Sequence, residues 1–144
     1  GLKVLWDRER VIATVEEENE EIRRLRDEIN RNVQSSTYFA RMQLGRLIEA
    51  ALEDAGNEYV RDIHEALKPA AVASRSNKPI GERMILNAAF LVERDREKHF
   101  DEAVKEVSRK YESLLTFKYT GPWPPYNFVN IKLKLEKAAA SSSG

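Results

Sequence analysis

The chain contains no cysteine, so disulfides, thiolate metal sites, thiol nucleophiles and iron–sulfur clusters are excluded. Nothing in it marks an oxidising compartment, and a reducing cytosol fits. Long apolar runs are also missing. The longest, Met84 to Val92, is about nine residues against the roughly 20 needed to span a bilayer, and it contains Asn87. At the N-terminus, Gly1-Leu2-Lys3-Val4-Leu5-Trp6 is followed at once by charged residues, unlike a signal peptide. The expectation is a protein that is neither secreted nor embedded in a membrane. Nor is there an excess of either charge: 24 Lys and Arg balance 24 Asp and Glu. No global field draws in nucleic acid, an anionic bilayer or an acidic substrate, so a partner must be selected by local surface.

What is present is a globular composition. The 144 residues are 42% hydrophobic and 33% charged, enough apolar content for a real core and enough length for one domain. Leu2 to Trp6 reads as a strand, and Asp7 offers an N-cap with Glu9 in the first turn. From Val11 the apolar positions Val15, Ile22, Leu25, Ile29 and Val33 recur at helical steps, crossed by the charged run Glu16 to Glu21. The spacing predicts one long helix from Asp7 to Val33, roughly 40 Å at about 1.5 Å per residue, part of which projects or meets another chain. Glu20 with Arg24, Arg24 with Glu28 and Asp27 with Arg31 are i,i+4 pairs on its exposed face.

Gln34-Ser35-Ser36-Thr37 supplies a turn and cap. Phe39, Leu44, Leu47, Ile48, Ala51, Leu52, Ala55, Val60, Ile63 and Leu67 then hold helical spacing up to Pro69, with Gly56-Asn57 a candidate kink or break. Two long helices joined by a short connection predict an antiparallel hairpin. Ala70 to Arg75 is a short extended candidate, Ser76 to Gly81 a loop, and Met84 to Val92 a strand apolar enough for a central place in a sheet. Asp95 is the expected cap of a third helix whose stripe is Phe100, Ala103, Val104, Val107, Tyr111 and Leu114. Leu115 to Thr120 and Val129 to Leu135 alternate as one-sided strands about a Gly121-Pro122-Trp123-Pro124-Pro125-Tyr126 loop. The fold class expected is α+β: a long antiparallel helical hairpin packed with a small, mainly antiparallel sheet and one further helix, a modified ferredoxin-like arrangement. Residues 138–144, Ala-Ala-Ala-Ser-Ser-Ser-Gly, are low in complexity, a native tail or a remnant of expression.

Residues that carry chemistry are few. His64 and His99 lie on different helices with no ligand partner at metal-binding spacing, and consecutive carboxylates in Glu16 to Glu21 point in different directions around a helix. Ser35-Ser36 and Ser74-Arg75-Ser76 have no recognisable base partner and read as turn and cap residues. There is no phosphate-binding glycine loop and no paired general acid and base, so no cofactor, metal or catalytic residue is expected. Tyr126 to Lys132 lacks the signature of an RNA-binding strand.

The most informative segment is Tyr119 to Phe128. Three of the chain's five prolines, Pro122, Pro124 and Pro125, fall here, fixing φ and removing amide donors while Trp123 and Tyr126 supply large amphipathic surfaces. Either the aromatics plug one end of the core, or Tyr119, Pro122, Trp123, Pro124, Pro125 and Tyr126 form an anchor for a partner.

The string Tyr-Thr-Gly-Pro-Trp-Pro-Pro-Tyr-Asn-Phe-Val at 119–129 closely resembles a signature near the C-terminus of the GvpF/GvpL gas-vesicle proteins. Lys3-Val-Leu-Trp6 and Leu86-Asn-Ala-Ala-Phe-Leu-Val92 are similar to the same family, so that the likeness covers about residues 1 to 137 and is greatest to GvpF. The resemblance implies a non-catalytic structural or assembly protein of the gas vesicle, a protein-walled, gas-filled organelle in the cytoplasm. Its implied partners are the hydrophobic shell protein GvpA and other Gvp proteins, without nucleic acid or membrane; self-association through the long helices is a further expectation. The resemblance also implies that residues 1–6 are the last strand of a preceding N-terminal domain and 7–137 a C-terminal α+β domain. A generic interaction module using the helical hairpin, and less readily a fragment of an enzyme, are the alternatives.

Overall fold

The computed structural model describes residues 1–31 and 37–121. Four strands, β1 (Leu2–Trp6), β2 (Ala73–Asn77), β3 (Met84–Leu91) and β4 (Leu115–Tyr119), form one sheet in the order β2-β3-β1-β4. Every neighbouring pair is antiparallel. β3 and β4 therefore run parallel on either side of β1, and the helix α4 (Glu97–Lys110) joins them. That is the split β-α-β arrangement of ferredoxin-like folds. Its first crossover, from β1 to β2, is expanded into three helices: α1 (Arg8–Glu18), α2 (Glu20–Arg31) and α3 (Thr37–Leu67). β1 is thus an interior strand of this sheet, paired on both edges, and the ladder continues through reciprocal 2.8 Å bonds of Gly1 and Thr120.

The long first helix predicted over Asp7 to Val33 is instead two. Asp7 caps α1 as expected, its carboxylate accepting from the Arg10 N–H at 3.3 Å. Asn19 then takes an extended backbone (φ −103°, ψ 106°) and works in both directions. Its N–H donates to the Val15 carbonyl at 2.9 Å and its side-chain oxygen accepts from the Ile22 N–H at 3.1 Å, so one residue ends α1 and caps α2. Asn is well suited to this because its short side chain competes for local backbone donors. Repulsion within Glu16 to Glu21 is relieved by the bend, which brings Arg26 to within 2.5 Å of Glu16. Of the three helix pairs expected, Glu20 with Arg24 forms, at 3.7 Å. Arg31 turns to the Asp27 carbonyl instead of its carboxylate, and no Arg24 to Glu28 contact forms among the described residues.

α3 runs unbroken for 31 residues, through Gly56-Asn57 where a kink was expected. The reason is tertiary: a Cβ on Gly56 would lie 3.4 Å from Cζ3 of Trp6, so the glycine admits the indole close to the helix backbone. Packing of this kind outweighs a propensity penalty of about 1 kcal/mol. Gly45 has no such duty, with open space where a Cβ would stand. Gly45→Ala is expected to stabilise the chain by about 1 kcal/mol, measured as a higher urea midpoint at unchanged slope. A loss of stability would show that α3 makes an unrecognised contact there.

The extended segment placed at Ala70 to Arg75 is shifted. Lys68–Ala70 is a single 3-10 turn containing Pro69 and the strand runs from Ala73 to Asn77, taking in residues expected to be loop. Ser76 and Asn77 are recruited by pairing with Ala88 and Asn87 of the strongly apolar β3, which has the central position predicted for it. Asp95 does not cap α4: it lies in a 3-10 turn, Arg94–Arg96, and Arg96 at the N-cap makes no side-chain bond. The α4 stripe is as expected, with Phe100, Val104, Val107 and Tyr111 buried.

One core gathers these elements. Leu2, Val4, Trp6, Leu86, Ala88 and Leu115 from one face of the sheet meet Val11, Val15, Ile22, Leu52, Tyr59, Ile63 and Leu67 from α1 to α3 and the α4 stripe. The apolar stripe of α3 enters it only from Leu44 onward. Phe39, expected in the hairpin interface, is 77% exposed beside Tyr38 at the end of α3 remote from the sheet connection.

Candidate functional site

Of the six residues singled out as a partner anchor, Tyr119 lies within the described part, whereas Pro122, Trp123, Pro124, Pro125 and Tyr126 lie outside it. Tyr119 closes β4 on the helix-bearing side of the sheet. Its ring stands 5.9 Å from Phe100 and its hydroxyl donates to the Asp101 carboxylate at 2.6 Å, while 43% of the residue stays exposed. Burial first, and the bond to Asp101 second, push the phenol well above its ordinary range. Two residues later Gly121 adopts φ 126°, a conformation open to glycine, so the chain leaves the sheet from a fixed aromatic post. Behind that post Phe100 packs on Phe90 at 5.3 Å and Phe90 on His64 at 6.0 Å. His64 lies 3.5 Å from the Ser76 hydroxyl, a structural pairing at the end of α3.

A shallow groove of about 430 Å³ runs between α3 and α4, lined by Asp62, Glu65, Ala66, Ala103, Glu106, Val107 and Lys110. Two of its polar groups, Asp62 and Lys110, are engaged with each other. The Tyr111 hydroxyl donates to Asp62, which also meets Lys110 at 3.4 Å, and the Tyr59 and Tyr111 rings pack at 5.1 Å. The Tyr111 bond, more than the nearby cations, holds Asp62 below the usual carboxylate range; burial chiefly and that same bond raise Tyr111. Among the described residues no three His, Cys, Asp or Glu come together as metal ligands, and no helix is long and apolar enough to cross a membrane. Two features were not anticipated. Phe39, which spacing places in the buried stripe, is exposed together with Tyr38 and Met42, because spacing alone does not say where along a helix its partner stops. The face of the sheet that bears no helix among the described residues, its helix-free face, carries basic residues, and the signal for it is the Lys3 and Lys118 alternation in two short strands.

The sequence model of one family, described as gas vesicle synthesis protein GvpL/GvpF, matches residues 1–130. The chain belongs to the GvpL/GvpF family. The matched span includes residues 119–129, the segment that carries the resemblance. Gas vesicle protein F2 of Halobacterium salinarum is 40% identical over 77 residues, 54% of this chain and 35% of that protein. Gas vesicle protein F of a Streptomyces strain is 34% identical over 129 residues, 90% of this chain and 53% of the relative. The crystal structure of GvpF from Anabaena sp. PCC7120 superposes with a TM-score of 0.76 at 25% identity, covering 88% of this chain and 51% of that one. The chain spans about half the length, or less, of the GvpL/GvpF relatives it matches. Family membership places it among gas vesicle proteins, and the α+β fold is shared with GvpF.

Proposed function

We propose that this chain is a structural or assembly component of the gas vesicle that works by contact and not by catalysis, its partners being the shell protein GvpA and other vesicle proteins. The observation that carries this is the family match across residues 1–130, which takes in both the folded core and the Gly-Pro-Trp-Pro-Pro-Tyr segment. In the same proposal residues 7–137, together with the interior strand β1 that leads into them, are the C-terminal domain that a preceding half joins, and the vesicle is the site of action.

The anchor consists of Trp123 and Tyr126, held by Pro122, Pro124 and Pro125 and launched from Tyr119. Prolines restrict the segment before binding, so that an aromatic pair buries large area at little further ordering cost. Truncating such an anchor costs about 2 kcal/mol or more of binding energy. For Trp123→Ala the expected outcome is therefore a loss of GvpA pull-down with little change in melting temperature. A large fall in melting temperature rejects the anchor in favour of a core plug, and retained pull-down rejects it outright. A second reading, an interaction module that self-associates through its helices, is favoured by the exposed Tyr38, Phe39 and Met42.

A further inference from the structure

We propose that the helix-free face of the sheet binds an acidic, partly apolar segment of a partner protein. Strand alternation assigns the two faces. Every buried residue of the sheet, Leu2, Val4, Trp6, Leu86, Ala88 and Leu115, is on the helix-bearing side. On the other side the register aligns Asn77, Asn87, Lys3 and Lys118 in one row across all four strands. Arg75 and Ala89 pair beside that row, and Leu5 pairs with Thr116 on its other flank. Leu5 and Ala89 are only half-buried, and Lys3 and Lys118 are exposed.

Charge identifies the occupant. In a chain whose charges balance, this face carries three cations from the strands, Lys3, Arg75 and Lys118, and no carboxylate. Lys3 and Lys118 stand directly opposite each other on adjacent strands, an arrangement that destabilises a sheet by itself. Among the described residues none of the three meets a carboxylate, whereas Arg8, Arg10, Arg24, Arg26 and Lys110 each do. An incoming acid relieves the repulsion, and apolar side chains beside it cover Leu5 and Ala89. Nucleic acid is the poorer fit: the aromatic side chains of these strands, Trp6, Phe90, Phe117 and Tyr119, share the opposite face and leave no stacking platform here. The chain's own following segment is also a poor fit, since Lys132, Lys134 and Lys137 outnumber Glu136 and repeat the sign of the face. This inference stands on the sheet geometry and is independent of the aromatic anchor.

The test uses the whole 144-residue chain and a fluorescein-labelled peptide of alternating Leu and Glu, followed by fluorescence anisotropy. Binding should weaken as salt rises and fall about tenfold or more in Lys3→Glu with Lys118→Glu, while Lys98→Glu, on exposed α4 surface, leaves it unchanged. If circular dichroism finds the reversal variant unfolded, Lys3→Gln with Lys118→Gln serves the same comparison, with a fall of several-fold expected. Equal binding by a folded variant, or by a Leu-Lys peptide, overturns the proposal. So does a labelled oligouridylate that binds more tightly than the acidic peptide, which would assign the face to RNA. A dimer in sedimentation that the reversal disperses also overturns it, by assigning the face to a second copy.

Discussion

Leu52→Asp is expected to abolish cooperative folding. Leu52 is 2% exposed midway along α3, among the residues of the hydrophobic core. An unpaired carboxylate there either stays charged in an apolar medium or takes up a proton at a cost, and either way apolar contacts are lost. The penalty is about 4 kcal/mol or more, against a total stability of about 5–15 kcal/mol for a domain. Circular dichroism should show the melting transition displaced far downward or absent. Ala51, its neighbour, is half-buried at the margin of the same core, so Ala51→Asp can turn its charge to water and should cost clearly less. The proposed facing of α3 fails if Leu52→Asp melts like the parent, or if Ala51→Asp is the more damaging of the two.

Trp6→Ala should be nearly as severe. The indole is 9% exposed, lies against Gly56 of α3, and donates from Nε1 to the Glu82 carbonyl at 3.1 Å. It therefore joins the end of β1 to the long helix and to the loop before β3. Large-to-small replacement of a buried tryptophan costs about 3–5 kcal/mol, because the cavity closes only in part. Gly56 provides no side chain with which to fill it. Urea unfolding should register the loss as a lower midpoint, and Trp6→Phe should recover most of the packing without the hydrogen bond. A loss below about 1 kcal/mol for the alanine variant would remove Trp6 from the core.

Most elements were legible because a local pattern and a tertiary outcome coincided. β1, β4 and α4 have their apolar residues at the period of their own structure and β3 is a near-continuous apolar run, and burial follows: Leu2, Val4 and Trp6; Leu115; Phe100, Val104 and Val107; Leu86 and Ala88. The misplacements are at termini and breaks. Asn19 interrupts a helical period that continues on either side of it, and only its two hydrogen bonds reveal that it belongs to two helices. Gly56 signalled a weak point by propensity, yet Trp6, fifty positions earlier, makes the glycine an advantage. β2 has hardly any apolar character of its own and is a strand because β3 offers it an edge.

The candidate sites divide in the same way. The proline-rich aromatic segment was visible because its composition is rare and its residues are consecutive, and it also carried the family likeness. The basic face was invisible as a unit, since Lys3, Arg75 and Lys118 are each an ordinary surface residue in their own strand. By itself the amino-acid sequence determined the class of fold, the identity of nearly every element and the family, because hydrophobic period, turn chemistry and motif are all local properties of the chain. Strand order, the close seat of Trp6 on Gly56 and the alignment of lysines across β1 and β4 were decided only by tertiary structure, because each depends on which distant segments come to lie side by side.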